Sequence, residues 1–268
     1  MDYLRDDLRR TVVRLAANER WYEQRWLGTT IWQLPEDLLR LQEILCEVRP
    51  RWVIETGTKF GGSAIFFASL LALLGEEGGG VISIDCHHTD QAREVFARHP
   101  LAHRVRAVLE GDAADPAIAA RAGECLGTDP GRVLVFLDDD HNRDHVAAEL
   151  RLYAPLVSLG SYLIVADTVF AELAGTPVVT DNPRYPDPLH SNPRVAVEAF
   201  LAARDDFARD DRFHYRGIGN FPDGFLRRIA PEPARSQPTG RNKRLSSAKK
   251  PGTSLLSLPT AVTGPSFR

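Results

Sequence analysis

Cysteine and long apolar runs are scarce in this chain of 268 residues. Its three cysteines, Cys46, Cys86 and Cys125, stand in no spacing typical of a metal site, and this usage fits a reducing cytoplasm. The apolar run 64–74 is too short to cross a membrane. The N-terminal sequence MDYLRDDLRR contains acids and no apolar core, unlike a secretory leader. We therefore expect a cytoplasmic protein that has no membrane partner.

A strong excess of one charge is also missing, since the formal net charge is −3. The charge is uneven, however. Residues 231–268 contain seven Lys and Arg and one acid, whereas residues 1–230 contain 26 Lys and Arg and 35 acids. An acidic body gives no support for nucleic-acid binding. Because the basic segment has little apolar content, we expect residues 231–268 to form a disordered tail.

The first fifty residues predict helices. Residues 3–26 have an amphipathic pattern, and three tryptophans lie close together in sequence: Trp21, Trp26 and Trp32. This segment either packs as a cap on the core or covers a ligand as a lid. A second helix is predicted between Pro35, in its first turn, and Pro50, beyond its end.

The stretch 51–63, RWVIETGTKFGGS, is typical of a strand, a glycine turn and the start of a helix. Gly57 allows a sharp turn and leaves no side chain between the backbone and a ligand, and Glu55 and Ser63 flank the turn. A dinucleotide fingerprint counted from Gly57 requires glycine where this chain has Lys59, so an NAD-dependent oxidoreductase is disfavoured. An ordinary strand-to-helix turn is the alternative interpretation.

Acids follow the next two predicted strands. Asp85 ends the strand 81–84, where a carboxylate can accept hydrogen bonds from two ribose hydroxyls, although it could also be a surface acid. Asp112 follows the strand 105–109. Asp112 could accept a hydrogen bond from an adenine amino group, or it could cap the next helix.

The fourth predicted strand, 133–137, is followed by Asp138, Asp139, Asp140 and His141. Adjacent carboxylates repel one another unless a proton, water or a cation compensates. With a nearby imidazole they suit a hard divalent cation, with histidine as a base and not a ligand. A solvated acidic loop is the alternative.

The fifth predicted strand, 161–165, ends in Ala166 and Asp167 and should lie beside the fourth, so that Asp138 and Asp167 face one site. The loop 170–193 is long for a compact domain and is interpreted as a substrate lid. After a helix at 195–204, residues 213–217 and 224–228 predict two closing strands.

Five stretches together resemble the cephalosporin hydroxylase / rhamnosyl O-methyltransferase family. They are WLGTTIWQLPEDLLRLQEIL, VIETGTKFGGSAIFFASLLALL, ISIDCH, LDDDHNRDHVAAELRLYAPLVSLGSYLIVADT and GNFPDGFLRR. The resemblance spans about residues 20–229. It implies a doubly wound, mostly parallel seven-stranded α/β sheet of the kind found in S-adenosylmethionine (SAM) methyltransferases. Together with the patterns above, we expect a helical cap over 1–50, a methyltransferase domain over 51–230 and the tail over 231–268.

The same resemblance implies a set of site residues. The cofactor SAM would contact Glu55, Gly57, Ser63, Asp85, Asp112 and Asp138. A magnesium ion would lie near Asp138 and Asp167, and Asp138 and His141 match the family's D-x-x-H spacing, with His141 as the catalytic base. The family has an acid where this chain has Ala166, so the metal is expected to bind weakly, to use Asp139 or Asp140 instead, or to be absent.

We therefore expect a SAM-dependent O-methyltransferase that acts on a hydroxyl of a sugar or another small natural-product intermediate. The alternative, favoured by Ala166, is a protein of the same fold with altered chemistry, either metal-independent or non-methylating. The expected partners are a small-molecule substrate and further copies of the chain, and not nucleic acid.

Overall fold

The computed structural model describes residues 3, 6–8, 10–11, 24–176, 179, 182–213 and 219–231. Three predictions fall mainly outside this part of the chain: the amphipathic helix with Trp21, the strand 213–217 and the terminal tail. Among the described residues, no helix is both long enough and apolar enough to span a bilayer.

A seven-stranded sheet forms the centre of the protein, as predicted, and a short hairpin of β1 (Arg25–Trp26) and β2 (Thr29–Thr30) precedes it. The sheet strands are β3 (Trp52–Thr56), β4 (Gly80–Asp85), β5 (Val105–Glu110), β6 (Val133–Leu137), β7 (Tyr162–Val165), β8 (Phe207–Arg209) and β9 (Phe225–Arg228). Their spatial order is β5-β4-β3-β6-β7-β9-β8. Strands β3 to β7 are parallel, and β9 runs antiparallel to both of its neighbours.

Helices cover both faces of this sheet. They are α1 (Pro35–Val48), α2 (Gly62–Leu73), α3 (Asp90–Arg98), α4 (Pro116–Leu126), α5 (Arg143–Tyr153) and α6 (Pro193–Ala203). Side chains of α4, α5 and α6 pack on one face, and those of α1 and α2 pack on the other. Burial on both faces explains why β6 and β7 are unbroken apolar runs in the sequence and why β3 begins with one.

Two predicted elements differ from the structure. Residues Arg25–Trp26 were expected to end a helix, but they form β1, because the chain turns at Leu27 and Gly28, which have φ of +47° and +89°. The strand paired with the outer side of β9 is Phe207–Arg209, and Phe213, the one described residue of the predicted strand 213–217, lies in the 3₁₀ turn Asp211–Phe213.

The order of the strands determines where the turns meet. β3 lies between β4 and β6, so the connections that follow β3 and β6 leave in different directions. In open α/β sheets a crevice forms at that point, outside the carboxyl ends of the strands. The glycine turn, the acidic segment 138–141 and the turn at 166–168 all follow strands that end at this edge.

Candidate functional site

The glycine turn holds two strand ends close together. Gly57 has φ +84°, and a methyl group added there would overlap the carbonyl oxygen of Asp138. The missing side chain therefore makes room for neighbouring backbone, and not only for a ligand as the sequence suggested. Gly62 is similar, because a methyl group there would overlap the carbonyl oxygen of Thr30.

A pocket opens between this turn and the segment after β2. It is lined by Thr30, Ile31, Trp32, Gln33, Gly57, Thr58, Lys59, Phe60, Gly62, Ser63 and Asp138. Three predicted cofactor contacts, Gly57, Ser63 and Asp138, thus share one pocket. Trp32 packs edge-on against Phe60 with ring centroids 5.0 Å apart, and the Trp32 side chain is partly exposed to solvent.

Trp26 has a different role from Trp32. Its ring packs 5.0 Å from that of Phe66, and its indole nitrogen donates a hydrogen bond to the Ser69 hydroxyl at 3.0 Å. The tryptophan-rich segment was expected either to pack on the core or to cover a ligand. Trp26 packs on the core, whereas Trp32 lies beside a pocket.

Glu55 lies beneath the turn instead of lining the pocket. Its side chain is fully buried, and the Ser83 hydroxyl donates a hydrogen bond to Oε1 at 2.6 Å. Burial raises the pKa of Glu55 to about 7, against hydrogen bonds from Ser83 and Ser63 that lower it. Ser63 therefore connects Glu55 with the pocket.

Asp85 and Asp112 follow the next two strands. The half-buried Asp85 accepts hydrogen bonds from the backbone nitrogens of Lys59 at 3.0 Å and His87 at 3.1 Å, so it ties the end of β4 to the glycine turn. Asp112 is largely exposed and accepts from the Ala114 nitrogen at 2.8 Å. The helix cap of α4 is Asp115, so the capping interpretation of Asp112 is wrong.

Asp138, His141 and Asp167 converge on one point. One ligand atom from each lies within 4.8 Å of the other two, and His141 Nε2 is 3.1 Å from Asp167 Oδ2. Gln33 donates a hydrogen bond to Asp138 Oδ2 at 2.6 Å. Asp167 adopts φ +52°, a left-handed conformation that is uncommon outside glycine and that aims its side chain at this cluster.

The carboxylates of this cluster resist ionisation. Burial raises the pKa of Asp138 well above its usual value, and the charges of Asp167 and Asp139 raise it further, while Gln33 lowers it. Burial also raises the pKa of Asp167, against the effect of His141. Facing acids of this kind favour a proton or a cation between them.

Asp139 and Asp140 turn away from that cluster. Asp139 Oδ2 lies 3.1 Å from His145 Nε2 on α5. Asp140 accepts hydrogen bonds from Asn142 at 2.7 Å and from Arg184 at 3.0 Å. Although burial raises the pKa of Asp140, these hydrogen bonds keep it below its usual value. Neither carboxylate replaces the acid that is missing at position 166.

The long loop after β7 covers His141. The Tyr185 ring stacks on the imidazole with centroids 5.6 Å apart and an interplanar angle of 22°. The centroid of the Phe170 ring lies 4.9 Å from that of the same imidazole. Leu8 packs in an apolar cluster with Phe170 and Leu173. Arg184, next to Tyr185, holds the loop to Asp140.

Gln33 is a site residue that the sequence did not reveal. Its partner Asp138 is 105 positions away, and no local spacing signals the contact. Ala166 is 2% exposed and belongs to the apolar cluster on the α1 and α2 face. At that position the chain has replaced an expected acid with a core residue.

Comparisons with known proteins find relatives of this chain. A sequence model of the family described as Rhamnosyl O-methyltransferase/CmcI matches residues 18–229. The rhamnosyl O-methyltransferase of Mycobacterium tuberculosis (strain ATCC 25618 / H37Rv) is 34% identical over 213 residues, which cover 77% of this chain and 78% of that protein. The rhamnosyl O-methyltransferase of Mycobacterium leprae (strain TN) is 34% identical over 211 residues, covering 77% and 83%.

Solved structures of other proteins have the same fold as this chain. A CmcI structure with magnesium and SAM has a TM-score of 0.56 at 21% identity and covers 78% of each chain. A Klebsiella pneumoniae protein described as an O-methyltransferase has a TM-score of 0.53 at 19% identity, covering 85% of this chain and 90% of that one. At these identities the likeness concerns the fold alone, and it confirms the doubly wound sheet expected from the sequence.

Proposed function

The chain belongs to the rhamnosyl O-methyltransferase/CmcI family, and on that premise we propose that it is a SAM-dependent O-methyltransferase. It acts, with help from a divalent cation, on a hydroxyl of a sugar or another small natural-product intermediate. The observation that carries the proposal is that Asp138, His141 and Asp167 converge beside the pocket of the glycine turn. Asp138 belongs to both the cluster and the pocket.

The cluster fits a hard cation such as Mg²⁺. Asp138 and Asp167 present carboxylate oxygens to a common point, and the charge of Asp167 raises the pKa of Asp138. These two residues would hold the ion. When bound, it would supply a positive charge that makes a nearby acceptor hydroxyl more acidic.

The cofactor residues occupy adjoining positions. Gly57, Ser63 and Asp138 line the pocket, and we assign Asp85 and Asp112, at the next two strand ends, to the nucleoside part of SAM. SAM supplies a methyl group that its sulfonium already activates. The chain must then hold an acceptor oxygen in line with that methyl at about 3 Å.

We assign to His141 the role of accepting the proton of the acceptor. A neutral imidazole that donates its Nε2 hydrogen to Asp167, 3.1 Å away, keeps its lone pair on Nδ1. Tyr185 and Phe170 restrict the ring by packing against it. Asp167 and the aromatic pair therefore orient a general base, which is a role that commonly accelerates proton transfer by about 10²–10⁴-fold.

The loop beside His141 offers space for the acceptor. A pocket of about 550 Å³ is lined by Ala174, Gly175, Val179, Asn182, Pro183, Tyr185, Pro186, Asp187, Pro188 and Leu189. Tyr185 connects this space to the imidazole. A flat aromatic ring next to polar side chains suits a hydroxylated ring substrate, such as a sugar with neighbouring hydroxyls.

The second candidate is a SAM-binding protein of altered chemistry, and Ala166 is the feature that favours it. With two carboxylates at the cluster instead of three, a hard cation would keep more water and bind less tightly. The two candidates differ in metal dependence: the first requires Mg²⁺ for turnover, and the second turns over in EDTA or transfers no methyl group.

The experiment that tests the proposal begins with ligand binding. We expect SAM, and not NAD, to raise the melting temperature, because only a ligand of the native state stabilises it. Mass spectrometry should then detect methyl transfer to small rhamnosides in the presence of Mg²⁺ and its loss in EDTA. A shift with NAD alone, or an absence of any SAM effect, would contradict the assignment.

The division into a cap over 1–50, a methyltransferase domain over 51–230 and a tail over 231–268 is part of the same proposal. So are association of identical chains and a cytoplasmic location. Light scattering of the purified protein tests the association of identical chains. A mass equal to that of one chain would contradict it.

A further inference from the structure

A second cluster of ligand-type side chains lies behind the acidic segment. Asp139 at the end of β6 meets His145 and Glu149, which are four residues apart on one face of α5. We propose that these three side chains bind a transition-metal ion such as Zn²⁺, at a site separate from the Asp138–Asp167 cluster. The proposal does not depend on the methyltransferase assignment.

The distances between the ligand atoms suit such an ion. His145 Nε2 lies 3.1 Å from Asp139 Oδ2 and 3.8 Å from Glu149 Oε2. A tetrahedral Zn²⁺ with bonds of about 2.0–2.1 Å places its ligand atoms about 3.3 Å apart. The observed separations lie on either side of that value, so small side-chain rotations would complete three ligand bonds.

Glu149 gives an independent sign of a missing partner. Its side chain is only 1% exposed, and Oε2 accepts no hydrogen bond from the described residues. That buried atom lies 3.8 Å from His145 Nε2, and Asp139, His145 and Glu149 offer ligand atoms within 4.8 Å of one another. An unpaired carboxylate oxygen inside a protein is unfavourable, and a bound cation at this point would compensate it.

The surrounding groups resemble the outer shell of a metal site. The Thr56 hydroxyl donates a hydrogen bond to Glu149 Oε1 at 2.8 Å, which leaves Oε2 for an ion. On the other side of the imidazole, His145 Nδ1 faces Asp112 Oδ1 at 3.9 Å. A ligating histidine commonly directs its second nitrogen toward a carboxylate, and a ligating carboxylate is commonly hydrogen-bonded.

The ligand types also indicate that the two clusters prefer different metals. One imidazole and two carboxylates, one of them fully buried, suit Zn²⁺ or a similar ion, whereas Mg²⁺ prefers oxygen ligands and retains water. The ion would join α5 to the end of β6. Because Asp139 is adjacent to Asp138, the ion would also fix the backbone from which Asp138 extends.

The test measures zinc binding to the purified full-length chain after removal of metals with a chelator. Calorimetric titration with Zn²⁺ is done in excess Mg²⁺, and Co²⁺ is titrated in parallel by visible absorption. We expect one tightly bound Zn²⁺ per chain and a tetrahedral Co²⁺ spectrum. Glu149→Gln, which is nearly isosteric, and His145→Asn should each weaken binding by more than about tenfold, and Thr56→Val should weaken it by about 10-fold or more.

Two control variants locate the ion. Asp144→Asn changes an exposed carboxylate on the same helix, and His141→Asn removes the imidazole of the other cluster. Both should retain the bound Zn²⁺, and circular dichroism checks that every variant is folded. Equal zinc binding by the wild type and Glu149→Gln would mean an adventitious ion only. Absence of binding by the wild type would show that His145 bridges the two carboxylates without a metal. Either result overturns the proposal.

Discussion

At the residue scale, Asp138, Asp139 and Asp140 are adjacent in sequence, yet each carboxylate has a different partner. Asp138 meets Gln33, Asp139 meets His145, and Asp140 meets Arg184. The three neighbouring acids therefore face three separate partners, although the charge of Asp139 still raises the pKa of Asp138. We therefore expect substitutions of these three residues to have different effects.

The first prediction compares neighbouring acids. Asp138→Asn removes a carboxylate from the cluster with His141 and Asp167, and we expect kcat/KM for methyl transfer to fall by about 10²-fold or more. Asp140→Asn breaks a contact with the loop and should have a smaller effect. Steady-state kinetics at saturating Mg²⁺ measures both. Turnover of Asp138→Asn at the wild-type rate in EDTA would contradict the site assignment and favour the altered-chemistry candidate.

The second prediction concerns Glu55 and pH. Burial raises the pKa of Glu55 from 4.5 to about 7, so the native state keeps a proton that the unfolded chain releases. The stabilisation from this group is therefore complete below pH 4.5 and is lost as the pH rises through about 7. At about 1.4 kcal/mol per pKa unit, the loss is about 3 kcal/mol.

Glu55→Gln tests this prediction, because the amide is neutral at every pH and its oxygen can still accept from Ser83. We expect the free energy of unfolding of the variant, measured by urea titration between pH 4.5 and 8.5 without metals, to fall less steeply than that of the wild type. Parallel curves would show that Glu55 is already ionised in the native state.

At the scale of elements, the sequence identifies structure where burial imposes a pattern. The central strands are buried on both faces, so their apolar runs are visible in the sequence, and the glycine turn follows β3 at the expected place. The edge strand β8 is only three residues long, within a charged stretch, and its pairing with β9 is not visible from local composition. The Gln33 contact is hidden for the same reason, since it forms only when the segment after β2 reaches β6.

The third prediction tests the close packing of the glycine turn. Gly57→Ala should destabilise the protein and abolish SAM binding, because the added methyl group would overlap the Asp138 carbonyl. The matched control is Gly160→Ala. Gly160 has φ +79°, close to the +84° of Gly57, but a methyl group there has no atom within 4 Å.

Both substitutions share the backbone penalty of a left-handed alanine, about 1–2 kcal/mol. The overlap at Gly57 should add about 1–3 kcal/mol, measured as the difference in unfolding free energy by denaturant titration. Calorimetry measures SAM affinity. Equal destabilisation by the two variants, with SAM affinity retained in Gly57→Ala, would mean that the turn neither packs on β6 nor forms the cofactor pocket.

At the scale of the whole molecule, the sheet is completed by the last described strand. β9 lies between β7 and β8 and pairs with both. Arg228 is buried and donates to the carbonyl oxygen of Val157 at 2.5 Å, and the Ile229 nitrogen donates to the Asp206 carbonyl at 2.8 Å. These contacts anchor the chain as far as Ala230, whose nitrogen also approaches the Asp206 carbonyl at 3.3 Å.

The fourth prediction follows from where those contacts end. A chain that stops at Ala230 keeps β9 and its anchors, and residues 231–268 have too few apolar side chains to offset the entropy of ordering them. We expect its melting temperature and its SAM affinity to equal those of the full chain. A chain that stops at Gly224 is the comparison, because it lacks β9 and leaves β7 and β8 without their shared neighbour, so it should not fold cooperatively. Calorimetric scans of the three chains separate the outcomes. A drop of many degrees on removal of residues 231–268 alone would show that this basic segment packs against the acidic body or joins two copies of it, and the tail would then belong to the folded protein.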